Sequence, residues 1–136
     1  MKKHITISII TVVILILCGC FMVNLFSFKV NISGTNAKLT YIYNAENNAE
    51  NKNVTLSAEE SEIIKNIFNG QKTHFDNPSC GFTKNISIKF NSQVFCIACD
   101  NCPIIKLRGK YFSISETDRE TINRIFEKYG GLFPCP

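Results

Sequence analysis

Three cysteines at three-residue intervals, Cys96, Cys99 and Cys102, are the densest concentration of reactive side chains in this 136-residue chain. As thiolates they would fill three corners of a tetrahedral zinc site, with Cys80 or Cys135 as the fourth ligand. Four-cysteine zinc sites are normally built from two pairs separated by a longer loop, and here there is a single cluster. An iron–sulfur site would want the further cysteine that follows such a run, and none follows. A redox pair of Cys96 and Cys99 would need a helix N-terminus to stabilise the attacking thiolate. The alternation of Gln93–Cys99 marks a strand instead, in which those two side chains point to opposite faces.

The remaining chemistry is oxidation to structural disulfides, the default outside a membrane. The disulfide candidates are Cys80, Cys96, Cys99, Cys102 and Cys135. Five is odd, so one thiol stays free, joins another chain, or reaches back to Cys20. Parity puts Cys99 on the face of Ile86 and Ile88, and Cys80, two residues before Phe82, near Cys99 or Cys102. Cys135 follows the last helix, and the expectation is a bridge from it to Cys80 or to the 96–102 cluster.

No catalytic constellation stands beside the cysteines. The chain has two histidines, His4 and His74. A hydrolase could be drawn from Cys80, His74 and Asp76, but three residues within seven positions of one loop seldom reach the required geometry. Glu59, Glu60 and Glu62 fall in a helix's first turn, where the macrodipole accounts for them. Asp100 with Asn101 reads as a turn, although a carboxylate between two cysteines is the polar group to follow. There is no phosphate-binding glycine loop, nucleophile elbow or HExxH. The chain is therefore expected to act without catalysis and, zinc apart, without a cofactor.

The compartment is suggested by the first 28 residues. Met1-Lys2-Lys3-His4 precedes an uncharged run from Ile5 to Phe28, 24 residues long. As a helix rising about 1.5 Å per residue, it would cross roughly 30 Å of hydrocarbon. Lys2 and Lys3 would then stay inside, with the rest outside. A second reading takes Leu17-Cys18-Gly19-Cys20 as a lipobox, which resembles the signal of bacterial lipoproteins and would make Cys20 the lipidation candidate. Phe21-Met22-Val23 fits that reading poorly, because it stands where a polar tether is usual. The sequence thus divides into a membrane anchor over 1–28, a linker over 29–37 and an extracytoplasmic domain over 38–136.

The formal net charge is +4, and Lys2 and Lys3 supply two of those charges. The rest is too weakly basic to suggest a nucleic-acid partner. The expected partners are the membrane, through the N-terminus, and another protein. The abundance of Lys, Asn and Ile reads as compositional bias, such as that of an AT-rich bacterium.

The elements that must position these residues are legible from periodicity. Leu39, Tyr41 and Tyr43 alternate with polar neighbours and predict a strand, while Ala45–Asn53 reads as a solvated loop. Ser57 and Glu60 form a capping box ahead of a stripe of Ile63, Ile64, Ile67 and Phe68, ending at Gly70. Ser115 and Asp118 open a second helix with Ile122, Ile125, Phe126 and Tyr129 on one side, ending at Gly130-Gly131. Residues 56–68 and 114–126 match at five places, as an internal duplication or two similar capped helices would. Between them lie two hairpins, one turning at Asn91-Ser92 with Ile88 opposite Phe95 and Ile86 opposite Ile97, the other at Arg108-Gly109. The fold class expected is α+β: an antiparallel sheet of four or five strands, two amphipathic helices on one face, and disulfide staples.

Overall fold

The structure, a computed structural model, describes residues 9–19, 28–45 and 48–131. Residues 9–19 are helical (α1), with their apolar side chains exposed. Among the described residues no helix is long and apolar enough to cross a membrane. Cys20 and Cys135, and the rest of the uncharged run up to Ser27, lie outside the described residues.

Six strands form one antiparallel sheet: β1 (Ala37–Ala45), β2 (Asn48–Thr55), β3 (Phe82–Phe90), β4 (Gln93–Ala98), β5 (Ile104–Leu107) and β6 (Lys110–Ser113). Their order across the sheet is β2-β1-β3-β4-β5-β6. Two helices, α2 (Ala58–Phe68) and α3 (Glu116–Lys128), follow the two edge strands. The sheet thus has more strands than the four or five expected, and the addition is β2, of which the sequence shows only the short alternating stretch Val54-Thr55-Leu56 ahead of the helix. β2 occupies most of the stretch read as a solvated loop, and pairs with β1 from Lys38↔Thr55 to Ala45↔Asn48. An edge strand is held on one side by backbone hydrogen bonds, so it needs no apolar alternation and tolerates Glu50, Lys52 and several asparagines.

The β3–β4 hairpin turns at Asn91, which adopts φ +48°, and Ile88 lies opposite Phe95. The pairing of Ile86 with Ile97 does not form, because the ladder shifts register between Phe82 and Ser87. Both side chains are nevertheless fully buried. At the β5–β6 turn Arg108 and Gly109 both take positive φ, +50° and +78°, the hairpin turn that matches the right-handed twist of strands.

Both helices are capped as their sequences dictate. Ser57 Oγ accepts from the Glu60 amide at 3.1 Å, and Glu60 Oε2 accepts from the Ser57 amide at 3.0 Å. Ser115 Oγ accepts from the Asp118 amide at 3.1 Å. Gly70 and Gly130 end the two helices with φ of +80° and +77°. Ile64, Ile67, Phe68, Ile122, Ile125 and Phe126 are buried against the sheet, whereas Ile63, at the margin of its stripe, stays 37% exposed. Phe68 sits 4.9 Å from Phe95 and 5.6 Å from Phe112, ring centre to ring centre, and so fastens α2 to β4 and β6.

Residues 29–37 form no strand before Ala37, yet they are folded onto the domain. Val30 and Ile32 are buried, and Val30 exchanges backbone hydrogen bonds with Gln71 and Gly70, both 2.8 Å. The Ile32 amide donates to Asn69 Oδ1 at 3.1 Å. Ser61, wholly buried in α2, accepts from the Ala37 amide at 3.0 Å and so fixes where β1 begins.

Candidate functional site

Helices cover the sheet face that carries Leu39, Ile88, Phe95, Ile105 and Phe112. The opposite face is only partly open: Ser87 and Tyr111 on it are buried, and the Tyr111 hydroxyl donates to Asn77 Oδ1, in the loop before β3, at 2.8 Å. Register aligns a row of residues straight across it: Thr40 opposite Ser87, Ser87 opposite Cys96, Cys96 opposite Lys106, and Lys106 opposite Tyr111. A cavity of about 300 Å³ lies on this face, and Lys84, Val94, Cys96, Lys106 and Arg108 are among the residues lining it. One row further along, Lys38 stands directly opposite Lys89.

The charges are sorted by layer. β1 and β3 to β6 contain no acidic residue, so every charged side chain they carry is basic. The two helices carry Glu59, Glu60 and Glu62, and Glu116, Asp118, Glu120 and Glu127, which outnumber their Lys65, Arg119, Arg124 and Lys128. The small net charge of the chain therefore conceals a basic open face and an acidic helical layer. Two features of that face cost stability locally. Like charges directly opposite one another repel, as Lys38 and Lys89 do. Arg108 holds a left-handed backbone conformation that costs a branched or long side chain more than it costs glycine or asparagine.

The cysteine cluster is divided among three environments. Cys80 and Cys102 are joined in a disulfide, with Cα atoms 6.4 Å apart. Cys99 is buried and disulfide-bonded too. Cys96 is unpaired and half-buried on the open face. Burial raises its thiol pKa, against the opposing pull of Lys106 and Lys84. β4 ends at Ala98, so Cys99 lies one residue beyond the strand, in the turn, where it joins the apolar core, while Cys96 lines the cavity on the other face.

Around the first disulfide, ligand atoms of Cys80, Asp100 and Cys102 all lie within 4.8 Å of one another. Bonded to each other, the two sulfurs offer no thiolate, so this trio could hold a cation only after reduction. The bonded Cys80 likewise has no thiol to serve a Cys80–His74–Asp76 arrangement. His74 Nδ1 is 3.7 Å from an Asp76 carboxylate that is itself almost fully exposed.

Two residues of structural weight escape a cysteine-led reading. Arg119 is 1% exposed and donates from Nη2 to the Ala98 carbonyl at 2.7 Å, beside the turn that holds Cys99 and Asp100. Burial lowers its pKa to about 10, with the charges of Asp100 and Glu116 opposing the shift. Its position three residues before Ile122 puts it on the buried stripe, which is the signal for it in the sequence. Glu60 is the other. Besides capping α2, it accepts from Lys128 Nζ at 2.7 Å and from the Tyr129 hydroxyl at 2.8 Å.

Compared with known protein families, characterised proteins and solved structures, the chain matches none.

Proposed function

We propose that this chain is a membrane-anchored, extracytoplasmic binding module without catalytic activity, which docks an acidic protein partner on the open face of its sheet. The observation that carries the reading is the composition of that face: Lys38, Lys84, Lys89, Lys106 and Arg108, with no acidic residue from the same strands. The opposed lysines and the left-handed Arg108 support it, since locally unfavourable features persist where the surrounding fold over-determines them and function uses them. The anchor rests on the uncharged run from Ile5 to Phe28, as a spanning helix or as a lipoprotein signal ending at Cys20.

The test is fluorescence anisotropy of a labelled oligoglutamate peptide against the full chain in zwitterionic nanodiscs. Binding should weaken steeply with salt and fall further in a Lys84→Glu, Lys106→Glu double variant. Equal affinity of that variant would sink the docking face. Tighter binding of a single-stranded oligonucleotide of the same charge would replace the acidic protein with nucleic acid.

A second reading, a thiol-based metal protein, draws on the proximity of Cys80, Asp100 and Cys102. Native mass spectrometry under non-reducing conditions separates the two. Two intact disulfides and no zinc would remove the metal reading, whereas reduced thiols with stoichiometric zinc would remove the lead.

A further inference from the structure

The uncharged run ends at Phe28, and the folded domain begins at the same residue. The Phe28 carbonyl accepts from both the amide and the hydroxyl of Thr73, at 3.1 Å and 3.0 Å. Lys29 bridges Lys72, and Val30 is buried. His74 then bridges Tyr111 of β6, so the chain leaving the apolar run, the loop at 72–74 and β6 lie side by side at one edge of the sheet. No slack separates the end of the run from this edge.

The edge carries the side chains that suit the boundary between hydrocarbon and headgroups. Phe28 and Phe75 are 38% and 52% exposed, and Phe75 is the most exposed aromatic side chain outside α1 among the described residues. Lys110 Nζ lies over both rings, 4.0 Å from the centre of Phe28 and 4.7 Å from that of Phe75. Lys29 and Lys72 are exposed beside them. Aromatic rings enter the interfacial layer while lysines keep their ammonium groups among the phosphates.

We infer that this edge is a bilayer contact: Phe28 and Phe75 insert into the interfacial layer, and Lys29, Lys72 and Lys110 meet anionic phosphates. The inference rests on the anchor proposed above in its spanning form, since a lipid on Cys20 would leave seven residues between the anchor and Phe28. It also fixes orientation. With the β6 edge on the bilayer, the sheet stands away from the surface and its basic open face looks sideways, accessible to a partner.

The chain contains no tryptophan, so one introduced residue reports alone. In the full chain reconstituted into vesicles of phosphatidylcholine and phosphatidylglycerol, Phe75→Trp should emit at shorter wavelength than in detergent-free water. It should lose most of its emission to lipids brominated near the glycerol end of the acyl chain. Asn51→Trp, on β2 at the far edge, should be unmoved. Lysine acetylation of the unsubstituted chain in the same vesicles should spare Lys29, Lys72 and Lys110 while labelling Lys84 and Lys89. A Phe75→Trp chain that floats with the vesicles but keeps its emission unquenched, or a natural chain with Lys72 and Lys110 as reactive as Lys89, overturns the contact and leaves the anchor standing. A chain that does not float overturns both.

Discussion

Lys128 Nζ at the end of α3 lies 2.7 Å from Glu60 Oε1 in the first turn of α2, a contact between residues 68 apart in sequence. Glu60 is 8% exposed and serves two purposes at once, capping its own helix and gripping the end of the other. Burial alone would raise its carboxyl pKa. The hydrogen bonds from Lys128, the Ser57 amide and Tyr129 outweigh burial and hold it at about 2.

A carboxyl whose folded pKa is depressed stabilises the fold above its unfolded pKa and loses that contribution as pH falls towards the folded value. The window here runs from the ordinary 4.5 down to about 2. Because Lys128 is largely exposed and screened, the contribution of Glu60 is put at about 1–2 kcal/mol. Stability against urea should therefore fall between pH 5 and pH 2 more in the natural chain than in Glu60→Gln. Parallel acid curves for the two chains would contradict the assignment.

Reduction and peptide mapping test the disulfides. Non-reducing digestion should link Cys80 to Cys102, recover Cys99 in a disulfide as well, and leave Cys96 with an unmodified thiol. Replacing both Cys80 and Cys102 with serine should cost about 3 kcal/mol, the value expected for closing a loop of this length. Recovery of Cys96 in a disulfide within the same chain would refute the pairing.

The thiol of Cys96 should be sluggish. Since burial raises its pKa, the thiolate is scarce near neutrality, and alkylation should be slower than for a small exposed thiol and should speed up as pH rises. Lys106→Gln should slow it further, by removing a charge that favours the thiolate. A Cys96 that alkylates faster than a small thiol at neutral pH would reopen a catalytic role for it.

Arg108 offers a trade-off that a purely structural residue would not. Asparagine tolerates the left-handed conformation better, so Arg108→Asn should raise stability by about 0.5–1 kcal/mol. The same change should weaken binding of the oligoglutamate peptide, since it removes one of the cations lining the cavity. Chemical denaturation and anisotropy on one preparation read both effects. A stabilised chain with unchanged affinity would remove Arg108 from the docking face.

Asp100 and Arg119 give a last check on the turn that carries the cysteines. Arg119→Met removes a buried donor from the Ala98 carbonyl and should destabilise by about 2–4 kcal/mol. Hydrogen exchange should localise the loss to the end of β4. Uniform loosening of both helices instead would mean that Arg119 supports packing rather than the turn.

Periodicity and capping were enough to read most of this fold. The capping box at Ser57 and Glu60, the glycine stops at Gly70 and Gly130, the turn at Arg108-Gly109 and the alternation of β1 and β4 are each written within a few residues of chain, because local sterics and hydrogen bonding decide them. The alternation through Cys99 runs one residue too far, since β4 stops at Ala98 and Cys99 falls in the turn that follows. What the sequence could not carry was long-range. β2 has no apolar pattern, since an edge ladder is made by backbone groups whatever the side chains are. The register shift before Ser87 and the closing of Cys80 on Cys102 depend on how strands meet, not on spacing. The basic face emerged only on folding, when alternation put Lys38, Lys89 and Lys106 on one side of the sheet, the register shift before Ser87 brought Lys84 to the same cavity, and most acidic residues went to the helices. Net charge is a sum over the sequence, but a binding surface is a sorting of that sum in space, and only tertiary structure does the sorting.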